Sequence, residues 1–161
     1  MIDATVGGSD ANSFIDVDGA DSYFSTSLVS ERWDTNNQRE ASLIEASACV
    51  SSLDYRGEKN ASSQALAFPR DGGSDIPAPI IAATAKLALY LFENPDSLSG
   101  IADLTTRIAV GSLSISQQVS SGNIMELLPI DVRHLLTPYL SAGATLGGSE
   151  ATGGAINLML Q

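Results

Sequence analysis

The chain has 161 residues, enough for one domain with a buried core. Nineteen acidic residues against eight basic ones give a net charge of -11, so little Lys or Arg is available to displace counterions from phosphates. Free nucleic acid and anionic lipid are both disfavoured, and the same surplus keeps a free subunit soluble. The lone cysteine, Cys49, cannot form an internal disulfide, so the fold does not depend on an oxidising compartment. Met1 is followed by Asp3 and glycines instead of the basic and apolar blocks of a secretory leader. The longest apolar stretch, Ile80 to Phe92, contains Lys86 and falls short of the roughly 20 residues of a spanning helix. The expectation is a protein made in the cytosol with no membrane partner.

Residues 1–17 are rich in Gly, Ser and Asp and read as an N-terminal arm, with a short apolar alternation at Phe14, Ile15 and Val17. A first helix is expected with Asp18 as N-cap and Asp21 near its positive end. It would turn Tyr23, Phe24 and Leu28 inward. A polar break holding Trp33 follows. Thr35 and Gln38 then have capping-box spacing and open a longer helix over Asn36–Leu53. Its apolar residues form two stripes, Ala41, Ile44 and Ala48 on one side and Leu43, Ala46, Val50 and Leu53 on the other. That pattern predicts a central helix sandwiched between neighbours.

Residues 55–78 read as a long loop dense in turn residues, in which Pro69 forbids a continuous helix. Pro77 and Pro79 suit the first turn of a third helix. That helix is apolar nearly all round up to Phe92, so it should be the most buried element, and Asn94-Pro95 ends it. The partial alternation of Ile108, Val110, Leu113 and Ile115 predicts a short β segment over residues 108–119. Pro129 opens a last helix with Val132, Leu135, Leu136 and Tyr139 inward and an interruption near Pro138. Residues 18–141 therefore read as a mainly α domain, a small bundle of about four helices with a short β segment and extended termini.

Residues 142–161 form a tether of Gly, Ala, Ser and Thr ending in an apolar hook, Ile156, Leu158, Met159 and Leu160. A frayed end is the common fate of termini. The run of large apolar residues favours docking on a partner instead.

His134, the only histidine, lies beside Arg133 on the last helix, where a surface or half-buried role outweighs a general base. Cys49 sits among Ala, Ser and Val and reads as a small core residue, with no histidine near it in sequence to activate it. Asp16, Asp18 and Asp21 lack the glycine and glutamate offsets of a calcium loop. The paired glycines are not followed by the Lys-Ser/Thr of a phosphate cradle. No catalytic set, metal site or cofactor site is expected, which leaves a small hydrolase without base or nucleophile. Arg70, after Phe68-Pro69, has two open readings: a fork onto a neighbour's carboxylate, or closure of its own loop onto Asp71 or Asp75.

Six segments stand in an order that carries a resemblance. They are Ala20–Phe24; Trp33 before an Ala-rich helix ending Leu53-Asp54-Tyr55-Arg56-Gly57; Gln64–Arg70; Ile76–Ile80 leading into Ala85–Leu89; Val110–Ile115; and Leu135–Leu140. Over roughly residues 12–141 the chain resembles the small tailed-phage proteins labelled DnaT-like single-stranded DNA-binding, which in turn resemble head–tail adaptors. Phe68 stands where Trp would be expected before Pro-Arg, which keeps the packing role and drops the indole donor.

The resemblance implies a non-catalytic virion protein at the neck. A ring of about twelve copies would lie between portal and tail proteins, with genome DNA passing through unbound. Tyr23, Phe24, Trp33, Tyr55, Phe68, Arg70, Leu113, Ile115 and Tyr139 would then be core or interface anchors. The rival reading is a primosome-like single-stranded DNA-binding protein, which needs a basic groove and stacking aromatics.

Overall fold

The computed structural model describes residues 1–97 and 121–142. The β-like segment 108–119, with Leu113 and Ile115, and the hook residues Ile156, Leu158, Met159 and Leu160 lie outside the described residues. What is described is mainly helical: α1 (Val17–Phe24), α2 (Ser30–Asp34), α3 (Arg39–Ser51), α4 (Ala78–Glu93), α5 (Ser121–Leu127) and α6 (Ile130–Leu136), closed by a 3-10 turn over Thr137–Tyr139. The extended pairing seen among these residues is two isolated antiparallel bridges, Tyr55 with Leu140 and Lys59 with Arg70.

Helix α4 is the axis, as its composition dictates. Pro77 caps it and Pro79 sits in the first turn, where a missing N–H costs nothing. Ile80, Ala83, Thr84, Ala85, Leu87, Ala88, Leu89 and Leu91 are all buried. The helix packs on α3, on α6 and on α1. Thr84 is polar but satisfied, its hydroxyl donating to the Ile80 carbonyl at 2.9 Å. Asn94 ends the helix by donating through Nδ2 to the Tyr90 carbonyl at 3.0 Å.

Local chemistry moves several boundaries from where the sequence suggested. Asp16, not Asp18, caps α1, its Oδ1 accepting the Gly19 N–H at 2.8 Å. The helix stops at Phe24, and Leu28 falls in the following turn, fully exposed. Thr35 and Gln38 form no capping box: the Thr35 hydroxyl donates back to the Arg32 carbonyl at 2.8 Å. The buried amide of Asn36 organises this corner instead, accepting the Gln38 N–H at 2.8 Å and donating to Ser42 Oγ at 3.0 Å. On α3 the Leu43, Ala46 and Val50 stripe is buried, whereas Ala41 and Ala48 are exposed and Ile44 half-buried. That helix therefore faces the core on one side only among the described residues.

The N-terminal segment has no helix or strand, yet it is fixed to the body. Asn12 and Ser13 both donate backbone N–H groups to the Asp3 carbonyl, at 2.9 and 3.1 Å. Ser47, buried on α3, accepts the Phe14 N–H at 3.0 Å and lies 3.1 Å from Ser13 Oγ. Because Ser13 already donates to the Ile15 carbonyl at 2.7 Å, the shared proton between the two serines belongs to Ser47. Phe14 and Ile15 are thereby delivered into the core.

The last elements follow the expected pattern with one addition. Pro129 caps α6, and Val132 and Leu136 are fully buried, while Leu135 and Tyr139 are partly buried against the core. Helix α5, absent from the sequence reading, contributes Ile124 and Met125, with Leu128 just beyond it. No helix among the described residues is long and apolar enough to cross a membrane.

Candidate functional site

The described aromatic anchors gather into two clusters. In the first, Phe24 of α1 stacks on Trp33 of α2 with centroids 4.9 Å apart, and Tyr23 meets Phe24 edge-on at 5.0 Å. Trp33 is almost wholly buried, so its indole N–H needs a partner. Asp21 Oδ1 accepts it at 2.6 Å. Arg39 of α3 completes the unit, its guanidinium 5.7 Å from the Trp33 ring centroid and 3.3 Å from Asp21 Oδ2. Asp21 and Arg39 were not legible as partners, because no periodicity links residues on three separate helices.

The second cluster centres on Phe68. Its ring takes edge-to-face contacts from Tyr55 at 4.8 Å, Tyr139 at 6.1 Å and Phe14 at 6.2 Å. The peptide between Phe68 and Pro69 is cis. Tyr55 is buried, its hydroxyl donating to the Val50 carbonyl at 2.7 Å, and burial pushes its ionisation well above the usual phenol range.

Arg70 closes its own loop, though not onto Asp71 or Asp75. Among the described residues its guanidinium meets no carboxylate and instead donates to backbone carbonyls of its own loop. These are Arg56 at 2.9 Å, Ala67 at 3.2 Å, Tyr55 at 3.2 Å and Gly57. Asp71, its neighbour, accepts the Glu58 N–H at 2.8 Å while its own N–H donates to the Glu58 carbonyl at 2.9 Å. Arg70 thus substitutes for the sheet ladder that this long loop lacks.

The described basic side chains are largely engaged within the molecule. Arg32 pairs with Glu93, Arg39 with Asp21 and Asp34, and Lys86 with Asp131. The Lys86–Asp131 contact, 2.8 Å long, raises the ammonium above its ordinary value through that hydrogen bond. Partial burial works against the Asp131 carboxylate, but Lys86 outweighs it and holds the group below its ordinary value. Together with Arg70, four of the seven Lys and Arg residues described are spoken for. No Phe, Tyr or Trp side chain among the described residues is exposed.

Two open depressions flank these clusters. One, of about 460 Å³, lies between the α1–α2 turn, α4 and the start of α6, with Tyr23, Val29, Leu89, Tyr90 and Pro129 in its wall. The Arg32–Glu93 and Lys86–Asp131 pairs border it. The other, of about 410 Å³, sits over Phe68, Arg70 and Tyr139.

No group of His, Cys, Asp and Glu suited to a metal occurs among the described residues. His134 is exposed on α6. Cys49 is half-buried on α3, and burial pushes its thiol up to about 11, away from the thiolate a nucleophile needs.

Comparison with curated proteins and with solved structures returns no match. A family model does match, over residues 1–159, beyond the 12–141 span of the resemblance and through the Gly-rich tether. The chain therefore belongs to the family described as "Putative DnaT-like ssDNA binding protein".

Proposed function

We propose that the chain is a non-catalytic structural subunit of a tailed bacteriophage, a head–tail adaptor that forms a ring between portal and tail. The ring of about twelve copies would sit in the virion neck after assembly from host cytoplasm, and genome DNA would pass through it without specific binding. The observation that carries this reading is electrostatic. The charge is -11 and most described cations are tied into internal contacts, so a phosphate backbone meets a repulsive surface on which it slides.

A second reading, a primosome-like single-stranded DNA-binding protein, is favoured by the family description. Such a protein stacks bases on accessible aromatic faces beside a basic groove. The burial of Phe14, Phe24, Trp33, Tyr55 and Phe68 counts against it.

One experiment separates them. Fluorescence anisotropy with labelled single-stranded DNA at low salt should give no saturable binding. Mixing the chain with the portal of its own phage should give rings visible by electron microscopy. Tight DNA binding that weakens steeply with salt, and no portal-bound ring, would establish the second reading.

A further inference from the structure

Outside the N-terminal arm, the large apolar side chains exposed among the described residues are Leu28, Leu127 and Ile130. All three belong to the two segments that frame one depression. The α1–α2 turn lines it through Thr26, Ser27 and Val29, and the α5–α6 junction lines it through Pro129 and Asp131. Leu28 stands fully in solvent and Ile130 is 62% exposed, beside a hollow of about 460 Å³ that reaches Tyr23, Leu89 and Tyr90. Burying such side chains is favourable, and their gathering on one face marks an interaction surface. We propose that this face is where two copies of the chain pair about a two-fold axis, each laying its Leu28 into the other's hollow.

Charge selects the occupant. Four charged residues line the hollow, Arg32, Lys86, Glu93 and Asp131, and they sum to zero on a chain of net charge -11. A second copy carries the same surplus and is repelled by an acidic face, so a neutral one is where it can approach. Nucleic acid finds no net positive charge there to hold it. Two positive and two negative groups also make the face complementary to itself. Arg32–Glu93 and Lys86–Asp131 are pairs between partly exposed side chains. A two-fold axis offers each cation the other copy's carboxylate in place of its own, with no net loss of ion pairs. Knob and hollow lie on the same face, as an isologous contact requires. Such a contact closes at two copies, so the pairing belongs to the free chain, and its failure leaves the adaptor reading untouched. A patch of one short turn and one helix junction sits at the small end of specific interfaces, so pairing is expected at roughly 10–100 µM.

Sedimentation equilibrium of the full chain should show a reversible monomer–dimer transition. Leu28→Asp alters a fully exposed side chain, so the fold is kept, and it should raise the dimer dissociation constant by about tenfold or more. Charge exchange then identifies the partner. Lys86→Glu turns one positive group negative and takes the face from zero to -2, while Asp131→Lys takes it to +2. Neither variant should dimerise alone where the parent does, and an equimolar mixture of the two should, because opposite faces then meet. A parent chain that stays monomeric at about 1 mM would overturn the proposal. So would a dimer that Leu28→Asp leaves unchanged, charge variants that self-pair as tightly as the parent, or a mixture that stays monomeric. Oligomers larger than a dimer would overturn it too, since they need a head-to-tail contact.

Discussion

The indole N–H of Trp33 donates to Asp21 Oδ1 at 2.6 Å, while Asp21 Oδ2 takes the guanidinium of Arg39 at 3.3 Å, so one carboxylate ties three helices together. Trp33→Phe preserves the stack on Phe24 and removes only the donor, for an expected loss of about 1 kcal/mol. Trp33→Ala also empties the site between α1 and α3 and should cost about 3–5 kcal/mol. Urea unfolding followed by circular dichroism reads both. Equal losses would mean the ring's volume contributes nothing beyond its hydrogen bond.

Arg70 holds its loop by a fan of carbonyl contacts that a lysine cannot reproduce, having one ammonium in place of a planar fork. Arg70→Lys is expected to destabilise by about 2 kcal/mol. The local effect should exceed the global one. Hydrogen exchange at the Arg56, Glu58 and Asp71 amides, whose bonds close this loop, should accelerate before the α4 amides respond.

Gly57 and Gly72 both have positive φ, 74° and 76°, but their surroundings differ. A Cβ on Gly57 would lie 2.0 Å from Asp71 Oδ2, whereas one on Gly72 meets nothing within 4 Å. Gly72→Ala should therefore show only the backbone penalty of about 1 kcal/mol. Gly57→Ala should cost clearly more, because Asp71 must leave the Glu58 N–H to make room. Thermal melts of the two variants side by side decide it.

The Lys86–Asp131 pair gives a pH signature. Asp131 is held below 3.8, so its stabilisation is present above about pH 4 and lost as pH falls through the lowered value. Lys86 is raised above 10.5, so its share is complete below that pH and lost as pH rises further. Both groups are a third or more exposed, which limits the pair to under about 1 kcal/mol. Asp131→Asn should lower the urea midpoint slightly near neutrality, and the difference from the parent should shrink as pH falls below 3.8.

Cys49 offers a clean probe of unfolding. With its thiol pushed up to about 11 by burial, it should resist iodoacetamide at neutral pH in the folded chain and react readily in denaturant. Fast labelling of the native protein would contradict that burial.

The helical architecture was legible because apolar spacing and proline placement are local signals. Pro77 and Pro79 announced α4, and Pro129 announced α6, as residues that can only begin a helix. What stayed hidden depends on groups that sequence does not display. Arg70 bonds to carbonyl oxygens, which every residue carries, so nothing in the pattern of carboxylates pointed to them. The outer stripe of α3 misled for the opposite reason: Ala41 and Ala48 are good helix formers that need no burial. Helix α5 begins with the weak helix formers Ser121-Gly122-Asn123, and its Met125 is buried against the core.

The chain leaves the described body along a short seam. Leu140 bridges Tyr55, the Arg56 N–H donates to the Tyr139 carbonyl at 2.9 Å, and Ser141 bonds Asp54 through both its N–H, at 3.0 Å, and its hydroxyl, at 2.5 Å. A pull applied at Ala142 reaches this seam before it reaches α6 or the core. The seam is thus the mechanical root of the tail. A load on the tail is transmitted straight into the Arg70-pinned loop, on the side of the molecule that holds Phe68.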